Sequence, residues 1–279
     1  MVVAVAAEGD PIVSAANEPP ASGSDRLIRR IHRTGLFSLF AILTLLPHTG
    51  QAARPLVVAV AANFAPAMEE IGALFTRESA IPVQTTVSSS GRLYAQISNR
   101  APFDIFFSAD SRRPQLLFQQ GLCERPEVYV RGRVVLWSRD RDLCAGAGDW
   151  QDLLKTGAGR TGIPNPELAP YGEAARQALI RAGLWDRLQE RLVFAANVAR
   201  SFQYAATGAT RLSFISTSLA TTAAGTGGCF LPLDEAKPVA QAVCVVSASK
   251  NREAARALVR FLRRNPALST LEHYGYERP

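Results

Sequence analysis

The sequence predicts an α/β protein of two lobes. Strand-like runs alternate with helix-like runs from residue 56 to the end, which is the pattern of strands carrying helices on their faces. The run Val57–Ala61 is continuously apolar, as expected of a strand covered on both faces, and Leu212–Ile215 reads as a second buried strand. Several runs pass directly into a helix-opening residue: Asn63 follows the first strand, and Ala67–Phe75 behind it has helical spacing.

The remaining elements follow in order. Ile81–Val87 is a strand, Ser88–Gly91 its turn, and Arg92–Ile97 opens a helix. Phe103–Phe107 is a third strand ending in Ser108-Ala109-Asp110. The next helix turns Leu116, Leu117 and Phe118 inward, and Gly121 stops it. Strands Val128–Val130 and Arg133–Trp137 flank a tight Arg131-Gly132 turn, where the chain enters the second lobe. Trp150–Leu154 is a short helix. Three prolines within Pro164–Pro170 exclude helix there. Tyr171-Gly172 opens a helix with Ala174, Ala178, Leu179 and Ala182 on one face. A short helix (185–192), the strand Val193–Ala195, a helix from Asn197-Val198 and the strand Leu212–Ile215 come next. Thr226–Gly228 is a loop. The strand Val239–Val246 crosses back, and a strongly periodic helix spans Glu253–Arg263. The expected lobes are 54–134 with 245–279, and 135–244.

Residues 1–53 stand outside this pattern. A basic cluster (Arg29, Arg30, Arg33) precedes the uncharged run Gly35–Pro47, which is too short for the ~20 residues of a membrane-spanning helix. Small residues follow at Gly50–Ala53. This is the form of a secretory signal peptide, with the mature chain expected to begin near Ala53 or Arg54 and to reside in the periplasm. An uncleaved anchor is the alternative. The polar stretch before it reads as an over-extended translation start.

The segment 1–53 balances four Arg against four acidic residues, so the formal +7 belongs to the remainder. There the arginines are scattered rather than clustered, which argues against nucleic-acid binding and leaves a weak field favourable to anions. The four cysteines, Cys123, Cys144, Cys229 and Cys244, form no metal motif. In an oxidising compartment two disulfides are plausible. Of three pairings, Cys123–Cys144 and Cys229–Cys244 are the expected ones, with buried free thiols as the alternative.

Four loop-to-helix junctions occur, at Asn63, Ser90, Tyr171-Gly172 and Val198. Each leaves unpaired backbone N–H groups and a positive pole of roughly half a charge. Converging, they would hold a small anion without Lys or Arg, with Asn63 and Ser90 adding side-chain donors. Taken singly, each is an ordinary cap. An enzyme reading has less support. Residues 54–279 carry one histidine, His273, and no nucleophile, Walker or zinc motif. Ser90 lacks an evident base, and Asp104 and Asp110 read first as capping or ion-pairing residues. A secreted hydrolase using Ser90 or Asp104 is the alternative from that class.

At this point three runs carry a resemblance: Val58–Phe64, Ser88–Ile97 and Pro102–Asp110. Their order and wording resemble the periplasmic molybdate-binding proteins of molybdate ABC transporters. Asn165-Pro166-Glu167, Pro170-Tyr171-Gly172, Ala196-Asn197-Val198 and Tyr274-Gly275-Tyr276 continue the likeness, which covers 55–276. The resemblance implies a type II periplasmic binding fold, two α/β lobes with mixed sheets joined by two crossover strands. It implies an oxyanion, molybdate and also tungstate, held by hydrogen bonds in the cleft. It further implies a monomer without cofactor or directly ligated metal, delivering to an ABC permease. Carried over, the ligand positions are Asn63, Ser90, Tyr171 and Val198, with Ala62 and Ser216 as further candidates. Relatives with a Tyr near Ser216 use its hydroxyl, and here Tyr171 stands in a position to replace it. Sulfate, thiosulfate or another small anion is the alternative ligand.

Overall fold

The computed structural model describes residues 54–156 and 159–279; the expected leader lies outside the described residues. The first lobe starts β1 (Leu56–Ala61), α1 (Ala65–Ser79), β2 (Val83–Ser88), α2 (Ser90–Ser98), β3 (Ile105–Ser108), α3 (Arg112–Gln119), β4 (Glu127–Gly132). The second lobe runs β5 (Val134–Ser138), α4 (Arg141–Ala145), α5 (Trp150–Thr156), β6 (Thr161–Pro164), α6 (Pro170–Arg181), α7 (Trp185–Leu188), β7 (Leu192–Ala195), α8 (Val198–Ala206), β8 (Leu212–Ser216), α9 (Thr217–Ala220), β9 (Cys229–Pro232). The chain then returns through β10 (Val239–Val245) to α10 (Arg252–Phe261) and α11 (Asn265–His273).

Each lobe is built on a five-stranded sheet. The orders are β2-β1-β3-β10-β4 and β7-β6-β8-β5-β9. Both sheets are mixed: β1 pairs β2 and β3 in parallel, while β10 runs antiparallel to β3 and β4. The alternation along β1 serves two cores. Leu56, Val58 and Val60 face α1, α10 and α11, and Ala59 faces Leu93, Ile97 and Phe106. Helices on both faces explain why β1 is apolar without interruption.

Several expectations require correction. Arg131-Gly132 is no hairpin turn: β4 ends at Gly132 in one sheet and β5 begins at Val134 in the other, so a single residue joins the lobes. Strand β10 belongs to the first sheet, so the return crossing lies between Pro232 and Val239, ahead of the expected 244/245 boundary. Phe118 is 40% exposed, because the buried positions of α3, Pro114 and Leu117, lie three apart on another face. The stop at Gly121 holds, with φ at 69°. Strand β9 lies between the Gly-rich loop and Leu233, where the sequence reading places no strand.

The disulfide pairing also differs. Cys144 is bridged to Cys229, with Cα atoms 6.1 Å apart. Strand β9 pairs antiparallel with β5, setting Cys229 opposite Ser138 at the end where α4 begins. Cys123 and Cys244 are free thiols buried together in the first lobe. Sequence proximity misled because the partner of Cys229 was decided by sheet order.

Candidate functional site

The carboxyl ends of β1 and β2 and the first turns of α6 and α8 meet where the lobes face each other. Several hydrogen bonds cross this seam. The Gly91 N–H donates to Leu168 O at 2.9 Å, the Arg113 guanidinium to Glu167 O at 2.8 Å, and the Ser218 hydroxyl to Asn63 O at 2.8 Å. A Cβ on Gly91 would lie 3.0 Å from both Cα and O of Leu168, so the approach depends on a residue without a side chain. Ala62 and Ala109 of the first lobe pack into the same apolar cluster as Tyr171 and Val198 of the second.

Ser90 is the first residue of α2, buried at 1% exposure. The capping role falls on Ser89, whose Oγ accepts from the Arg92 N–H at 3.4 Å. Ser90 Oγ accepts instead from the Ala109 N–H at 2.9 Å. A hydroxyl has one proton and two acceptor lone pairs. Ala109 fills an acceptor position and leaves the Ser90 proton to donate.

Tyr171 lies in the first turn of α6, behind Pro170. The ring is buried and its hydroxyl accepts from Gln241 Nε2 at 3.0 Å. Burial, with Tyr276 nearby, holds its pKa well above the ordinary tyrosine value, opposed by the amides of Gln241 and Asn63. The phenol therefore remains a protonated donor. The backbone N–H of Tyr171 is a second donor, since the first turn of a helix supplies no acceptor for it.

Val198 opens α8, whose cap is Asn197: its Oδ1 accepts from the Arg200 N–H at 2.9 Å. The Val198 N–H lies in that first turn, where the helix itself supplies no acceptor for it.

Asn63 differs from expectation. It is not the cap of α1; Phe64 holds that place and makes no side-chain cap bond. Asn63 Nδ2 donates to Gln241 Oε1 at 2.8 Å and to the Tyr276 hydroxyl at 3.1 Å, and Tyr276 donates back to Asn63 O at 2.9 Å. Both amide protons are thus engaged within the protein. The strand-to-helix turn at 62–64 is pinned by side chains from the far end of the chain.

The two further candidates are committed elsewhere. The Ala62 N–H donates to Ser88 O at 3.0 Å, extending the β1–β2 ladder. Ser216 Oγ lies 2.8 Å from Ser218 Oγ. Because the single Ser218 proton goes to Asn63 O, the Ser216 proton goes to Ser218. Ser216 supports the Asn63 turn from below.

Asp104 and Asp110, considered as a carboxylate pair, are structural. Asp104 accepts from the Val57 N–H at 2.8 Å, Ser249 Oγ at 2.6 Å and Asn251 Nδ2 at 3.2 Å, at the amino end of β3. Asp110 accepts from the Arg113 N–H at 2.8 Å and pairs with its guanidinium. Among the described residues, no hydrogen bond joins either carboxylate to Ser90. Residues that local reading missed are Gln241, Tyr129, Tyr276 and Ser218. The one available signal was Gln241, a lone polar residue inside the apolar run Val239–Val246.

Two mixed-sheet lobes joined by β4–β5 and β9–β10, with helix amino termini turned to the seam, define a periplasmic-type solute-binding fold. The profile described as bacterial extracellular solute-binding protein matches residues 56–277, and the chain belongs to that family. Its relatives include the molybdate-binding protein ModA of Rhodobacter capsulatus, 34% identical over 227 residues, covering 81% of this chain and 89% of that protein. ModA of Azotobacter vinelandii is 34% identical over 224 residues, covering 78% and 88%. Among solved structures, the Azotobacter vinelandii periplasmic molybdate-binding protein superposes with a TM-score of 0.75 at 31% identity, covering 80% of this chain and 99% of that one. The sulfate-binding protein SubI of Mycobacterium tuberculosis shares the fold at a TM-score of 0.70 and 14% identity. The resemblance and the fold class read from the sequence are borne out.

Proposed function

We propose that this protein captures molybdate, and tungstate with it, in the interlobe cleft and delivers the anion to an ABC permease. The observation that carries the reading is the fate of two hydroxyl protons. Ser90 Oγ and Tyr171 Oη each accept a hydrogen bond from the protein, from Ala109 and Gln241, and each proton is left to donate. The first-turn N–H groups of Tyr171 and Val198 add donors of the same sign. Among the described residues, the side-chain hydrogen bonds of Asn63, Ser90 and Tyr171 run to no Lys or Arg. A set of neutral donors suits a tetrahedral oxyanion that must be held and then released. The ModA relatives favour molybdate.

In this reading the lobes at 54–132 with 239–279, and at 134–232, close on the anion as one donor set. Asn63 shapes its turn, while Ser90, Tyr171 and Val198 donate. Ala62 and Ser216 act through packing and through the Asn63 turn. The protein works as an exported monomer after removal of a leader, and it binds rather than turns over its ligand. Tungstate shares the charge, shape and size of molybdate; sulfate shares the first two and is smaller, so cavity size selects.

Calorimetric titration of residues 54–279 with molybdate, tungstate, sulfate and thiosulfate tests the reading. One-to-one binding of molybdate and tungstate, with sulfate at least tenfold weaker, is expected. Absence of molybdate binding, or a preference for sulfate, would overturn it.

A further inference from the structure

Gln241 is fully buried on β10, the strand that returns from the second lobe to the first. Its three hydrogen bonds are of unequal kind. Oε1 accepts from Asn63 Nδ2 at 2.8 Å and from the Tyr129 hydroxyl at 3.3 Å, and Nε2 donates to the Tyr171 hydroxyl at 3.0 Å. Two donors on one side therefore fix which end of the amide faces which neighbour. Had the carbonyl faced Tyr171, the phenol would have given its proton to Gln241 and had none for a guest.

The local backbone is arranged for this contact. Gln241 pairs with Val130 and Ala242 with Val128, so Tyr129 is the extra residue of a bulge in β4. A bulge re-aims a side chain, and the Tyr129 hydroxyl reaches the Gln241 carbonyl from there. Next to it, a Cβ on Gly132 would lie 2.0 Å from Tyr171 Oη and 2.7 Å from Gln241 Nε2. The residue that joins β4 to the crossing is thus side-chain-free where the Tyr171 hydroxyl meets the amide.

The geometry points to Gln241 as a positioning residue for anion binding: it turns the Tyr171 hydroxyl into an obligate donor toward the cleft, and ties that donor to Asn63 across the lobes. This rests on the oxyanion-binding reading above. Gln241 does not touch the anion; it sets the direction of a proton that does.

A double-mutant cycle tests it. Molybdate isotherms and ligand-free melting curves are taken for the wild type, Gln241→Met, Tyr171→Phe and the double variant. Gln241→Met is expected to raise Kd at least tenfold with Tyr171 present and less than threefold in the Tyr171→Phe background. A role in folding alone would lower the melting temperature and weaken both backgrounds alike. Equal losses in the two backgrounds, or wild-type affinity in Gln241→Met, would overturn the inference. Should Gln241→Met fail to fold, Gln241→Glu, equal in size, decides. Its loss is expected to be at least fivefold greater with Tyr171 than with Phe, where charge alone acts, and equal losses overturn. Wild-type protein that binds no molybdate removes the functional reading and this inference together. Normal wild-type binding with an indifferent Gln241 removes only the inference.

Discussion

The Ala109 N–H donates to Ser90 Oγ at 2.9 Å, across the turn that follows β3. This contact gives the Ser90 hydroxyl its polarity: it accepts from Ala109 and keeps its own proton to donate. Ser90→Ala removes the donor and leaves a buried N–H without its partner. A hydrogen bond to a charged group contributes ~1.5–3 kcal/mol, so molybdate affinity should fall at least about tenfold. Asn63→Ala should weaken binding to a similar degree by freeing the 62–64 turn from Gln241 and Tyr276. Wild-type affinity in calorimetry for both variants would contradict their assignment.

Gly132→Ala probes the crossing between lobes. The new Cβ would stand 2.0 Å from Tyr171 Oη, so the ring or the strand must move. Overpacking of this kind costs about 1–3 kcal/mol. A lower melting temperature is expected, with loss of molybdate affinity. Unchanged values in both measurements would show that the Tyr171 hydroxyl lies elsewhere in solution.

Burial raises Tyr129, Tyr171 and Tyr276 well above the ordinary tyrosine value, and burial with Glu70 brings Tyr274 to about 12. A raised folded pKa means that the native state holds the phenolic proton more tightly than the unfolded chain. The associated stability is complete below the unfolded value of about 10 and is lost as pH rises through that value toward the folded ones. The phenolate absorbance of these four rings should therefore develop together with unfolding. A single early titration of all six tyrosines would contradict the buried network.

The Cys144–Cys229 bridge closes a long stretch of the second lobe, its ends separated by 85 in sequence. Disulfides over such loops typically contribute ~2–4 kcal/mol. Cys229→Ser should lower the melting temperature accordingly, and unfolding without reductant should expose two thiols, Cys123 and Cys244. Peptide mapping that finds Cys229 joined to Cys244 would contradict the assigned pairing.

Much of the fold was legible in local pattern. The run Val57–Ala61 is a strand because both its faces are covered, and Asn197 caps α8 as its residue type suggests. What local pattern could not carry was partnership at a distance. Asn63 looked like a cap, yet its side chain is claimed by Gln241, 178 residues away, and by Tyr276, 213 residues away. The Cys144–Cys229 pair depended on β9 lying against β5. Ser90 and Tyr171 were legible as positions. Which end of each hydroxyl is free to donate depends on Ala109 and Gln241, which sheet order brings near.

The central claim is that neutral hydrogen-bond donors from both lobes hold the anion. A crystal structure of the molybdate complex, with the molybdenum located by its anomalous signal, tests it most directly. The account predicts one molybdenum peak among Asn63, Ser90, Tyr171 and Val198, with oxygens accepting from Ser90 Oγ, from the Tyr171 hydroxyl and from the Tyr171 and Val198 N–H groups. A peak elsewhere, or an anion held by an Arg or Lys side chain, would contradict it.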